Sequence, residues 1–211
     1  MKTSSLTKDL NIISKLQKEL NFQPNSIKKL QFFVKSLLIF NNRYNLISKS
    51  TIPSIWHRHV LDSAQIIPFF NFKNKKIVID LGSGGGFPGI IISIFNKNPD
   101  FHVKLFEKSR VKSFFLEQMI KKLDLNAKTY GNLENYDKID GDYVVARAFK
   151  SLEKIIHFSR EKIIKPHKLV IFQGKNAQEK IKNISNKIDF KYKLIKSITE
   201  NDSKIFIGDV K

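Results

Sequence analysis

Ile77-Val78-Ile79-Asp80-Leu81-Gly82-Ser83-Gly84-Gly85-Gly86-Phe87-Pro88-Gly89 is the stretch on which the fold turns. Three β-branched residues lead into an acid and then into a run of glycines. Pro88 to Phe95 follows as a predicted helix, with proline tolerated in its first turn. Strand, glycine-rich turn and helix start, in that order, are the setting of a nucleotide-binding loop. Glycine lets the backbone approach a ligand without a Cβ clash, and the helix start offers unpaired N–H groups.

Two ligand registers compete, beside a third reading in which the stretch is only a tight turn. The dinucleotide pattern G-x-G-x-x-G fits from Gly84, as Gly84, Gly86 and Gly89, so its turn begins late after Asp80. The pattern acidic-x-Gly-x-Gly-x-Gly, found in loops that bind S-adenosylmethionine, fits directly as Asp80, Gly82, Gly84 and Gly86. An acid at the strand end suits the ammonium group of a methionine moiety better than it suits a pyrophosphate. Glu107 ends the next predicted strand, where a carboxylate can accept hydrogen bonds from ribose hydroxyls. That feature serves NAD and S-adenosylmethionine alike, and a solvated surface acid is its other reading.

Working outward, strands are predicted over Val103–Phe106, Ala127–Tyr130, Tyr143–Ala146 and Leu169–Phe172, alternating with helices over Ser109–Leu123, Ser151–Ile164 and Asn176–Ile188. Two late strands, Tyr192–Ile198 and Lys204–Val210, are close enough to pair as an antiparallel edge hairpin. Alternating strands and helices imply a doubly wound, mostly parallel sheet. Upstream, Leu6, Leu10, Ile13, Leu16 and Leu20 recur at helical spacing. Pro24-Asn25-Ser26 breaks that helix, and Ser26 can cap a second one to about Asn41. A third helix is predicted from about Ser54 to Phe70. The expected fold is therefore α/β and Rossmann-like. A helical cap (1–72) and a ligand-binding domain (73–211) would pack as one compact unit.

The chain of 211 residues carries 38 Lys+Arg against 19 acids, a formal +19 with a pI near 10.0. Such a charge favours an anionic partner, nucleic acid first. Only Arg43, Arg58, Arg110, Arg147 and Arg160 are arginines, so lysine dominates, as an AT-rich coding bias would also produce. There is no cysteine, hence no disulfide, thiolate metal site or cysteine nucleophile, which is compatible with a reducing cytoplasm. No signal peptide is visible, and the apolar run Gly89 to Phe95 is far too short to span a bilayer.

Methyl transfer from a sulfonium is an in-line displacement, and the acceptor decides what else the protein must supply. Covalent carbon-5 methylation of pyrimidines needs a cysteine, which is absent. Exocyclic amines are usually met by an Asn/Asp-Pro-Pro-aromatic signature after the fourth strand. Here that place reads Val144-Val145-Ala146-Arg147-Ala148-Phe149. A ring nitrogen such as guanine N7 already offers a lone pair and needs no general base; O-methylation stays open. Arg147, just past a strand end, can hold a phosphate or carboxylate, or form a buried structural ion pair. His57 and His59, two apart on a predicted helix, point to different faces, so no metal site is expected. Asp62 and Ser63 read as polar fasteners of that helix over the loop. Lys108, Arg110 and Lys112 form a phosphate-contacting patch or a solvated basic face. Phe32-Phe33 and Phe114-Phe115 read as core rather than as base-stacking platforms.

Several of these segments together resemble one family. They are Asn45-Leu46-Ile47-Ser48, His57-Arg58-His59-Val60-Leu61-Asp62-Ser63, the loop with its Phe87-Pro88-Gly89 ending, Glu107-Lys108-Ser109-Arg110-Val111-Lys112 with Phe115-Leu116, and Ala146-Arg147-Ala148. Over nearly its whole length the chain resembles the bacterial small-subunit rRNA guanine-N7 methyltransferases, the RsmG or GidB family. The resemblance implies a class I methyltransferase fold and S-adenosylmethionine as methyl donor. It implies a single guanine in the decoding region of 16S rRNA as acceptor, within the small ribosomal subunit or an assembly intermediate. A cytoplasmic monomer without membrane attachment is expected. By resemblance Gly82, Phe87, Leu133-Glu134 and Arg147 line the donor site, joining Asp80, Gly84 and Glu107. Arg58, Lys108, Arg110, Lys112 and Lys175 are candidates for RNA contact. The family usually has Lys-Gly after the fifth strand, where this chain has Gln173-Gly174-Lys175. If that lysine touches RNA, Gln173 weakens the contact unless Lys175 replaces it. Two rival classes make different demands. An NAD-dependent oxidoreductase needs a proton donor, for which no candidate is found. An RNA-binding module with a vestigial nucleotide loop would not need the loop and both acids intact.

Overall fold

In the computed structural model of the protein, residues 2–185 and 191–210 are described. Lys76–Leu81 forms β1, and Val78 to Leu81 are all buried, as expected of a strand covered on both faces. Among the described residues, seven strands make one sheet in the order β3-β2-β1-β4-β5-β7-β6. The others are β2 (Phe101–Phe106), β3 (Ala127–Tyr130), β4 (Tyr143–Ala146), β5 (His167–Gln173), β6 (Lys191–Lys196) and β7 (Lys204–Val210). The first five strands run parallel, while β7 is antiparallel to both β5 and β6. The edge hairpin predicted from the two late strands is therefore present. Helices α4 (Gly89–Phe95), α5 (Arg110–Leu123) and α6 (Leu152–Lys162) make the crossovers, and α7 (Ala177–Ser185) follows β5. Of the helix predicted over Asn176–Ile188, residues 186–188 lie outside the described ones.

Strand residues alternate between two apolar layers. Val78, Val103, Leu105, Val145 and Val170 pack with α4, α5 and the N-terminal helices α1 (Lys2–Lys18) and α2 (Pro24–Asn41). Ile79, Leu81, Val144, Ala146 and Ile171 pack with α6 and α7 on the other face. The order reverses at β1, whose neighbours β2 and β4 are entered from opposite directions. The crevice beyond the carboxyl ends of these strands is where an α/β sheet holds a ligand.

Two local expectations need correction. Ser26 does not cap α2. It lies inside the first turn, and its buried hydroxyl donates to the Ile94 carbonyl at 3.0 Å, tying α2 to α4. Nor is there one helix from Ser54 to Phe70. A 3₁₀ turn (Lys49–Ser54), a π-helical turn (Trp56–Leu61), the short α3 (Asp62–Ala64) and a second 3₁₀ turn (Ile67–Phe69) follow one another. Pro53 and Pro68 lack the N–H a continuous ladder needs. The widened π turn, a device common at functional sites, presents Arg58 and His59 to Arg147 across the crevice.

Candidate active site

The loop after β1 is held from beneath by Asp80. Its side chain is 0% exposed, and its Oδ2 accepts from the Gly89 N–H at 3.0 Å, fixing the start of α4. The other oxygen, Oδ1, is buried without a hydrogen-bond partner among the described residues. Burial pushes the Asp80 pKa up to about 7, against the lowering effect of its hydrogen bonds. Asp80 thus sits under the loop and does not open to the crevice, where a methionine ammonium would have met it.

Gly82 and Gly86 adopt left-handed backbone angles, φ +71° and +99°. A Cβ on Gly82 would stand 2.4 Å from Cδ2 of Phe149, whose ring closes over that residue. On Gly86 it would meet Ile90 at 2.8 Å and Phe33 of α2 at 3.1 Å. The loop is therefore pinched between the N-terminal helices on one side and the segment after β4 on the other. Asn41, at the end of α2, accepts from the Leu46 and Ile47 amides at 2.8 and 3.0 Å, which sets that turn against Gly85.

Above the loop lies a cleft of about 420 Å³. Gly82, Gly84, Phe87, Glu107, Leu133, Glu134 and Arg147 all line it, with Lys108 and Lys112 at the same cleft. Glu107 Oε2 accepts from the Gly84 N–H and Oε1 from the Ser109 N–H, each at 2.8 Å. Each oxygen retains a lone pair for a hydroxyl in the cleft. Asn132 caps the 3₁₀ turn Leu133–Asn135 by accepting from the Glu134 N–H at 3.3 Å, and Glu134 pairs with Lys150 at 3.7 Å.

Arg147 divides this cleft from a second cavity of about 370 Å³, which it shares along with His59 and Ala148. Its guanidinium donates to Asp62 Oδ2 and to the Arg58 carbonyl, each at 3.0 Å, and contacts His59 Nδ1. It also lies 5.3 Å from the centroid of the Phe87 ring. An arginine can only donate, so Nδ1 of His59 accepts. The imidazole proton is then on Nε2, which donates to Thr51 Oγ1 at 2.8 Å. Burial, then the charges of Arg147 and Arg58, push the His59 pKa down to about 3. His59 is therefore a neutral positioning group at pH 7. Of the two fasteners the sequence suggested, Asp62 acts as one, whereas the Ser63 hydroxyl is buried without a hydrogen-bond partner among the described residues. Asp62 also accepts from Gln65 and Thr199, joining the start of α3 to the β6–β7 connection.

The remaining candidates separate. Arg58 lines the second cavity and is ion-paired with Glu200. Gln173 lines the same cavity. Lys175 is 81% exposed, pairs with Asp202 at 3.4 Å, and borders neither space. Arg110 faces an outer groove with Tyr44 and Phe114. Phe33 and Phe115 are core as read from the sequence, but Phe32 and Phe114 are 44% and 53% exposed, on the outer sides of their helices. Ala148 enters the sequence reading only with Ala146 and Arg147 as a family-like segment, and Phe149 has no site role in it. Ala148 has φ +53°, rare for a residue with a Cβ, and that turn carries the Phe149 ring over Gly82.

Residues 26–205 match the family model described as rRNA small subunit methyltransferase G, GidB. The chain belongs to the GidB family. Family relatives include the ribosomal RNA small subunit methyltransferase G of Pelagibacter ubique, 38% identical over 89% of this chain and 90% of that one. The protein of the same name from Rickettsia prowazekii is 33% identical over 87% and 93%. Among solved structures, a SAM-dependent methyltransferase from Aquifex aeolicus superposes on 74% of this GidB chain and 92% of its own, with a TM-score of 0.58 at 14% identity. At that identity the likeness is one of fold. No helix among the described residues is long and apolar enough to cross a membrane.

Proposed function

We propose that this GidB-family methyltransferase moves the methyl group of S-adenosylmethionine to N7 of a single guanine in the decoding region of 16S rRNA. The observation that carries the reading is the pairing of two spaces across Arg147: a glycine-floored cleft beside Glu107 and Leu133, and a second cavity lined by Arg58 and Gln173. The cleft suits the donor in size and in chemistry. Gly84 leaves open space where a side chain would intrude. Glu107 offers acceptors for ribose hydroxyls, and Leu133 offers an apolar wall for an adenine ring. The donor supplies an electrophilic methyl group on a sulfonium. Asp80 serves the site from beneath, by holding Gly89 and the loop geometry.

The chain's own work is positioning. Guanine N7 presents its lone pair without losing a proton, so no base is required, and none of the cleft's carboxylates is assigned that role. Arg147, fixed by Asp62, the Arg58 carbonyl and His59, stands where the two spaces meet and orients the acceptor. Alkylated N7 carries a new positive charge, and an RNA phosphate or Glu200 beside the second cavity would stabilise it. We take the enzyme to act as a cytoplasmic monomer on the small ribosomal subunit or a precursor of it.

Calorimetric titration with S-adenosylhomocysteine, with NADH as the control, tests the donor site. Micromolar binding of the first and none of the second is expected; NADH binding alone would overturn the reading. Methylation of extracted 16S rRNA and of isolated small subunits, followed by mapping of N7-methylguanine, then tests the acceptor.

A further inference from the structure

Outside the crevice, where α2 meets the start of α5, the surface carries a groove lined by exposed apolar side chains. Ile39 (62% exposed), Tyr44 (44%), Val111 (39%) and Phe114 (53%) line it together. Its floor is the half-buried Phe40, whose ring lies 4.8 Å from Tyr44 and 6.4 Å from Phe114. Phe40 also packs at 5.2 Å on the core residue Phe115, which anchors the rings to the fold. Two arginines complete the lining, Arg43 and Arg110, and no acid is part of it.

The arginines decide what this groove receives. The chain has only five, in a sequence that otherwise uses lysine. Arg58 is engaged by Glu200, Arg147 by Asp62, and Arg160 has a partner within the chain. Arg43 and Arg110 have no carboxylate partner among the described residues, and both stand at the aromatic groove. Unpaired guanidinium groups beside exposed rings are complementary to unpaired bases on a phosphate backbone. They are poorly suited to the apolar face of a protein, which would bury two uncompensated charges. The groove and the cleft draw on neighbouring residues of the chain. Lys108 and Lys112, on either side of Arg110, line the donor cleft.

We propose that this groove is a second RNA-binding site. In it, single-stranded bases flanking the acceptor guanine stack on Phe114 and Tyr44 while Arg43 and Arg110 hold their phosphates. The inference rests on RNA being the substrate, but its test does not depend on methyl transfer. Stacking on an aromatic side chain changes affinity by about 5- to 150-fold per base on truncation.

The experiment is fluorescence-anisotropy titration of a labelled single-stranded RNA dodecamer of mixed sequence with the full-length protein. It compares the parent with Phe114→Leu, Phe114→Trp and Tyr44→Ala, with S-adenosylhomocysteine binding as the check that each variant is folded. Phe114→Leu keeps the apolar bulk and removes the ring, so it should weaken RNA binding by about 5-fold or more. Phe114→Trp should retain it. The slope of log affinity against log salt should stay unchanged in both, because no phosphate contact is lost. Parent-like RNA affinity in Phe114→Leu and Tyr44→Ala, with intact S-adenosylhomocysteine binding, overturns the proposal. So does a loss confined to methylation of protein-containing small subunits, which would assign the groove to a protein partner. If the parent binds RNA through these rings but methylates no rRNA, the functional reading fails and this site stands.

Discussion

At the scale of single residues, the site depends on atoms that leave no room. Gly82 has both a left-handed φ and the Phe149 ring 2.4 Å from where a Cβ would lie. Gly82→Ala is therefore expected to displace Phe149 and distort the floor of the cleft, weakening S-adenosylhomocysteine at least about 10-fold by calorimetry, with backbone strain of about 1 kcal/mol or more. An unchanged Kd would show that the ring moves freely. Arg147 is a different case, since its value lies in three simultaneous contacts. Lysine at this position, a single point charge, cannot serve Asp62, the Arg58 carbonyl and His59 together. Arg147→Lys should lower kcat for rRNA methylation by about 10-fold or more, the scale of one misplaced positioning group, while the protein stays folded. Wild-type kcat in that variant would reduce Arg147 to the structural ion pair that the sequence also allows.

Elements, rather than residues, explain why the loop holds its shape. The N-terminal helices form its outer wall, with Phe33 against Gly86 and Phe87, and Leu37 and Ile47 against Gly85. Asn41 joins α2 to that wall through two amides, and its side chain is buried. Asn41→Ala leaves the Ile47 N–H without its partner and the Leu46 N–H with only the Tyr44 carbonyl. It should destabilise the protein by about 2 kcal/mol, read as a lower urea midpoint with an unchanged m-value, and should weaken donor binding along with it. Loss of stability without loss of donor affinity would show that the wall does not shape the loop. Little of this was legible in the sequence. Asn41 and Ser26 look like ordinary helix-end residues, and their partners, Leu46, Ile47 and Ile94, are named only by the tertiary contacts. The segment from about Ser54 to Phe70 likewise reads as one helix in the sequence, although π, α and 3₁₀ turns succeed one another along it.

For the whole molecule, the buried groups Asp80 and His59 act in opposite directions, and His167, whose pKa burial also lowers, acts with His59. Asp80 has a folded pKa raised from 3.8 to about 7, so its contribution to stability is present below pH 3.8 and lost as pH rises towards 7. His59 has a folded pKa lowered from 6.5 to about 3, so its contribution is present above pH 6.5 and lost as pH falls towards 3. Between about pH 4 and 6.5 the Asp80 and His59 slopes cancel, each corresponding to at most one proton, or about 1.4 kcal/mol per pH unit. Asp80→Asn can still accept from the Gly89 N–H but no longer titrates. Relative to the parent, its stability should rise with pH across that window. Urea midpoints at pH 4.5, 5.5 and 6.5 read the difference in slope, and parallel curves for parent and variant would show that Asp80 ionises normally.

Local sequence is enough to dictate the strand-loop-helix nucleus, the alternation that makes a parallel sheet, the edge hairpin and most of the wall of the glycine-floored cleft. These are local facts: β-branched runs, glycines at fixed offsets, and acids at strand ends. Tertiary structure alone decided which way those residues look. Asp80 and Glu107 are both acids at the ends of adjacent strands. Yet α4 covers the first, whereas the second, one residue past β2, stands on the cleft wall. Phe114 and Phe115 are neighbours at equal hydrophobicity, and a helix turns one to solvent and the other to the core. A sequence lists which groups are available. The direction of each side chain depends on what packs against its element, and that is a property of segments far apart in the chain.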